Sequence, residues 1–592
     1  MCQVNITRAD TPMPKLAPHL TPSHGVLPNV SLPVPLLGLQ KPRPHLRVRQ
    51  LIQWAQELPI GNTSLASHQM LEKLKTLNRS RYTSKDRLQL LNSLRPVFAE
   101  LLHAIRQPLR QSAIPLDRKQ QYTATLMQQL LEEMASGYKL VVTELAMSDS
   151  AREHSQMLLQ EAIYMAVVYL SQRLVEAYSL YAAEPPHVWA DLNQLYLYAE
   201  QKHFHTRAVD DPYPDTPLPI KLNIDNTYKR ILLLSLAEPY HLMQYEADDT
   251  YRMVASFIDT CVIESFSQLV TQGEYIIDLN ADDGPYFLSS DAELAHGTLR
   301  LIDISAVKRQ LSNHLQRLLR LNIHSAELES VSLVERQQRD MLLRLADAWS
   351  ASLVRKAQRF NLDAKVELTS GLNASHFFVS EGAVFTPEID ALRLAQGLDT
   401  IDDATHTIFA SAYREALQKD RRHSHQDYAL NPWWQRNISP IGIALNAQDS
   451  GQQLDVRVGE LVVYRFSNKK RQRWQLGAIR WLKTAYSEDT PGMVNIGIMN
   501  LSNGAVPVGT KAIKGLGTGT DYFRSLLIPK QVSLQQTRSL IVPAFLYDVG
   551  SVLVVNLKQK LLHVRLTRVL ISTRSFTQFE FVVTPKPLDF IF

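Results

Sequence analysis

A chain of 592 residues is longer than one hydrophobic core can fill, so three or four domains are expected. Hydrophobic side chains make up 45% and charged ones 20%, a balance that excludes a disordered or fibrous chain. The 63 basic residues nearly match the 58 acidic ones, and the resulting charge of +5 excludes a nucleic-acid coat while leaving room for a local anion pocket.

Residues 1–46 carry nine of the 30 prolines, which prevents a helix and removes ladder donors. This segment reads as an extended arm, either a simple tail or one that docks through Val34-Pro35-Leu36-Leu37. From 47 to 405 the dominant period is helical, as in Leu88, Leu91 and Leu94 or Leu126, Leu130, Leu131 and Met134. Turn signals at Pro59-Ile60-Gly61-Asn62, Glu184-Pro185-Pro186 and Asp282-Asp283-Gly284-Pro285 divide it into antiparallel helices, grouped in two subdomains. Aromatic and small residues at helical spacing around Leu174–Tyr178 and Trp189–Glu200 suit a helix-hairpin solenoid, although no fixed period recurs.

Residues 405–430 are polar and unpatterned, and β-branched alternation follows. Short runs such as Leu461-Val462-Val463-Tyr464, Ala478-Ile479-Arg480-Trp481 and Val494-Asn495-Ile496-Gly497-Ile498 predict a small antiparallel barrel over 415–515. Further strands over 521–592, among them Val552-Leu553-Val554-Val555 and Phe579-Glu580-Phe581, extend the barrel or form a second β unit. The fold class is therefore α+β multidomain, mainly helical first and β afterwards.

The chemistry concentrates where the strands begin. Asn437-Ile438-Ser439-Pro440-Ile441-Gly442 reads as a strand-turn-strand element whose Asn437 and Ser439 serve either the turn or a ligand, while Gly442 permits close approach. Just upstream, Arg421 and Arg422 carry guanidinium forks that match phosphate oxygens and the O6/N7 edge of guanine; the alternative is a solvated linker.

In these residues the sequence resembles the PilZ family, whose pattern is Arg-x-x-x-Arg followed by Asp/Asn-x-Ser-x-x-Gly on a β-barrel. Asn437, Ser439 and Gly442 match the second motif in full, and the resemblance covers about 415–510. Four residues after Arg421 stands His425, and four after Arg422 stands Gln426, so the second arginine of the first motif is missing. Histidine is mostly neutral at pH 7, and one lost charge-assisted bond costs roughly ten- to hundredfold in affinity.

The resemblance implies a bacterial signalling effector that binds cyclic di-GMP through Arg421, Arg422, His425, Asn437, Ser439 and Gly442 and engages an unidentified protein partner. The rival is a nucleotide-independent adaptor or chaperone-like scaffold that keeps the barrel. No catalytic group, metal set or cofactor is expected: Asp278–Gly284 departs from calcium-loop spacing, and no nucleophile stands beside a base. Two cysteines, no bilayer-length apolar run and no export leader lead us to expect a cytoplasmic protein without an integral membrane segment or a nucleic-acid partner.

Overall fold

The computed structural model describes residues 32–34, 48–110, 112–147, 153–214, 220–265, 274–288, 297–324, 333–350, 360, 364–383, 385–386, 428–439, 441–448, 454, 456–467, 473–485, 492–530, 537–557 and 560–585. The first helices are α1 (Val48–Gln56), α2 (Thr63–Arg79), α3 (Ser84–Arg110), α4 (Arg118–Met147), α5 (Glu153–Ser179), α6 (Val188–Gln201), α7 (Ile224–Leu236) and α8 (Glu246–Met253). Local chemistry sets several boundaries. The Asn62 side chain accepts the Leu65 amide at 3.2 Å to cap α2, and Asn223 accepts the Asn226 amide at 2.7 Å to cap α7.

Helix α5 is buried along almost its whole length from Leu159 to Ser179, and α4, α6, α7 and α8 pack around it. A helix with no polar face has to be central. The hairpins suggested by the aromatic stripes therefore close around one axis instead of extending as an open stack. The stripes themselves are core: Tyr196 stacks on Tyr228 with centroids 4.3 Å apart, and the two hydroxyls donate to Asp225 at 3.0 Å and Asn193 at 2.6 Å. Of the proline-rich arm, Leu32 is buried in this core and Val34 packs against it; Pro35, Leu36 and Leu37 lie outside the described residues.

Not all of 47–405 is helical. β1 (Val262–Glu264), β2 (Tyr275–Asp278), β3 (Tyr286–Phe287) and β4 (Leu299–Asp303) form an antiparallel sheet in the order β1-β4-β2-β3. Beyond α9 (Ser305–His324) and α10 (Leu333–Ser350) comes β5 (Lys365–Ser370), followed by α11 (Leu372–Val379). These strands are too short for a twofold period to stand out from helical neighbours, and their pairing is non-local. The Asp278–Gly284 turn is occupied structurally: Asp282 accepts the amides of His187 at 3.1 Å and Ala190 at 2.9 Å at the start of α6.

Asp303 leads the chain into α9 by accepting the Ser305 amide at 2.8 Å. That backbone bond, with help from the Ser305 hydroxyl, holds the Asp303 carboxyl below its usual range. Because the folded value is depressed, the stability it contributes is present above the unfolded carboxylate pKa of about 3.9 and is lost as pH falls through the folded value. Asp303→Ala is expected to cost about 1 kcal/mol at neutral pH. Urea midpoints at pH 7 and pH 3 check it, since the gap between the two proteins should narrow at the lower pH.

Two closed six-stranded barrels complete the chain. The first contains β5, β6 (Asn431–Ser439), β7 (Gly442–Gln448), β8 (Leu461–Phe466), β9 (Gln475–Ala485) and β10 (Met493–Ser502), closed in the order β10-β7-β6-β5-β8-β9. The second contains β11 (Val506–Lys514), β12 (Phe523–Ile528), β13 (Ser539–Pro543), β14 (Val552–Asn556), β15 (Leu561–Ser572) and β16 (Phe576–Thr584).

The interior of the first barrel, including Val366, Trp433, Leu445, Tyr464 and Ile496, is continuous with the helical core. Thr484 seals the junction by donating its amide to the Tyr181 carbonyl at 2.8 Å. The second barrel has a core of its own around Leu540, Leu553, Val564 and Phe579. Helix α10 lies where all three bodies meet: Arg344 pairs with Glu246 of α8, Asp340 accepts Ser572 Oγ of β15 at 2.5 Å, and Asp347 pairs with Arg480 of β9 at 2.9 Å.

Candidate functional site

Asn437, Ser439 and Gly442 stand at the closing end of the β6–β7 hairpin. A β-bulge shapes that end. Gln435 pairs with Leu445 and Asn437 with Ala444, so Arg436 is the extra residue. Trp433 and Gln435 point into the barrel and are buried, whereas Arg436 is exposed and Asn437 half-buried. Strict alternation would have turned Asn437 inward with Gln435; the bulge returns it to the outer face beside Arg436.

The strand register assembles that face. One row crosses five strands: Lys365 pairs with Trp434, Trp434 with Asn446, Asn446 with Asn495, and Asn495 with Lys483. The adjoining row is Asn437, Ala444, Gly497 and Trp481. Neither row contains a carboxylate. Together they offer two lysines and the bulged Arg436, three carboxamides, two indoles and a floor of small residues. Such a surface suits an anionic ligand with flat rings.

Trp434 is 45% exposed. The Trp481 indole lies so close over Gly497 that a Cβ there would stand 1.9 Å from its Nε1. The guanidinium of Arg436 reaches Asn495 Oδ1 at 3.3 Å.

The hairpin tip is tied to its neighbours. Ser439 Oγ donates to the Gly442 carbonyl at 3.2 Å, the Asn500 amide donates to the Ile441 carbonyl at 3.0 Å, and Tyr464 Oη donates to Asn500 Oδ1 at 2.5 Å. Burial raises the Tyr464 phenol above its usual range, so it stays a neutral donor across the physiological range. Gly442 is needed because a Cβ there would fall 2.4 Å from the Ile498 carbonyl oxygen. Phe360 exchanges two backbone hydrogen bonds with Ile438, both 2.9 Å, along the other side of β6.

Of the sequence-predicted ligand set, Asn437, Ser439 and Gly442 are brought together here, while Arg421, Arg422 and His425 lie outside the described residues. The described chain resumes at Tyr428, whose ring packs on Phe377 of α11 with centroids 5.3 Å apart, only a few residues before β6. The cations on this face are Arg436, Lys365 and Lys483, none of them in the lead-in. The one local signal was an arginine directly preceding Asn437.

Three family models match in order along the chain: the N-terminal domain of the cyclic-di-GMP receptor FimW at 49–268, its middle PilZ domain at 275–430, and the FimW C-terminal β-barrel domain at 508–584. The PilZ match supports the resemblance and is not confined to the C-terminal part: it begins well upstream of 415, includes β5 of the first barrel and ends at 430, just before β6. The cyclic-di-GMP receptor FimW of Pseudomonas aeruginosa is 27% identical over 570 residues, covering 89% of each chain. No solved structure matches. Among the described residues no helix is long and apolar enough to cross a membrane. The three matches follow one another along the chain in the order of FimW's own domains, with a PilZ domain in the middle.

Proposed function

We propose that this chain is a bacterial, cytoplasmic receptor for cyclic di-GMP that performs no catalytic step and couples nucleotide binding to a protein partner through its helical region. The observation that carries the reading is the outer face of the first barrel, where Asn437 and Ser439 stand beside cations with no carboxylate in either row. The full likeness to FimW, a cyclic-di-GMP receptor, supports it. Arg421 and Arg422, entering just ahead of β6, would add two guanidinium forks to a ligand seated there.

Isothermal titration of the whole chain with cyclic di-GMP is expected to give saturable heat. Ser439→Ala should weaken the affinity roughly two- to tenfold, the worth of about one neutral hydrogen bond. No heat at high micromolar nucleotide would sink the receptor role.

A second reading has a specific observation in its favour. Ser439 already serves the Gly442 carbonyl, and Gly442 already admits the β10 backbone, so both have structural work without any ligand. On that reading the chain is an adaptor blind to nucleotide. Partner capture that is identical with and without cyclic di-GMP would favour it.

A further inference from the structure

We infer that Arg436 supplies the guanidinium that the lead-in lacks, so that the ligand is gripped by the barrel's own bulge; this rests on the receptor reading above. The lead-in has His425 and Gln426 where a second arginine would stand, one charge-assisted contact short of the family pattern. The bulge makes good that deficit within the described fold. An extra residue in β6 leaves Arg436 without a ladder partner and projects its side chain outward next to Asn437, on the side of the sheet that holds Ser439.

Its electrostatic setting fits the role. The hydrogen-bond partner of Arg436 on the sheet is a neutral carboxamide, Asn495, at a long 3.3 Å. A neutral partner orients the fork without cancelling its charge. Arg95 of α3, by contrast, is neutralised by Asp211 at 2.7 Å. Two positions before Arg436, the exposed Trp434 offers a flat wall for a purine. Fork, amide and indole thus present in sequence the three things a cyclic guanine dinucleotide asks for: a bidentate donor for its phosphodiester, a hydrogen-bonding group and a stacking surface.

The test is titration of the full chain with cyclic di-GMP for the native protein, Arg436→Ala, Arg436→Lys, Asn495→Asp and, as a remote charge control on the second barrel, Arg565→Ala. Arg436→Ala is expected to weaken binding roughly ten- to hundredfold. Arg436→Lys should recover only part of the loss, because a lysine keeps the charge and loses the fork. Asn495→Asp should also weaken binding, since it sets a carboxylate against the guanidinium, and Arg565→Ala should change nothing.

Melting curves accompany each variant; if Arg436→Ala melts early, Asn495→Asp decides. Native binding with Arg436→Ala, or in that case Asn495→Asp, within twofold of it would overturn this inference and leave the receptor reading standing. Absence of binding by the native chain removes both.

Discussion

Replacing Arg344 with alanine should destabilise the chain by about 3 kcal/mol, seen as a lower urea midpoint at neutral pH. Arg344 ties the helical body to the second barrel from a single side chain. Its Nε donates to Glu246 Oε2 at 3.2 Å, its Nη2 donates to Glu246 Oε1, and its Nη1 donates to the Ser572 carbonyl of the second barrel at 2.9 Å. The Glu246 side chain is only 6% exposed. Truncating the arginine leaves that carboxylate dehydrated with the Met243 amide, at 3.0 Å, in place of a full counter-charge.

The cost is therefore mostly the stranded charge and not the lost attraction. It follows that Arg344→Ala combined with Glu246→Ala should cost clearly less than the sum of the two single changes. Additive losses would show that water already solvates the pair. The neighbouring Arg480–Asp347 pair is 44% and 67% exposed, so it contributes little and makes a suitable comparison.

Which parts of this architecture could be read from the chain depends on how local their causes are. The strands β8 to β10 announce themselves through short apolar, β-branched runs, continuous in β8 where both faces are buried and alternating in β10, and the leucine spacing of α3 and α4 does the same for helices. β5 does not: Lys365–Ser370 is six residues of modest pattern, defined by pairing with β6 and β8, which follow much later. The closure of both sheets into barrels is likewise a property of distant pairings. Among the ligand candidates, Asn437, Ser439 and Gly442 were legible as a motif. The exposure of Asn437 was not, because period-two reasoning places 433, 435 and 437 on one side and only the bulge at Arg436 reverses it. The same bulge sets Arg436 apart: without it, Arg436 is merely one more outward-facing charge on a strand.

Gly442→Ala should lower the stability of the first barrel by about 2 kcal/mol and weaken nucleotide binding together with it. The new Cβ would stand 2.4 Å from the Ile498 carbonyl oxygen, a distance no relaxed structure holds. What matters is that the obstacle is backbone. β10 is clamped between β7 and β9 over most of its length, so it cannot yield without opening the ring of strands. Gly497 makes the contrast, because there the atom in the way belongs to the Trp481 side chain.

A binding loss in Gly442→Ala would consequently report a displaced hairpin, with Asn437 and Ser439 moved off their positions, and would not by itself demonstrate ligand contact at the glycine. Thermal melting of the variant beside its titration separates the cases. A variant that melts like the native chain yet fails to bind would mean that β10 adjusts freely and that the glycine is there for the nucleotide.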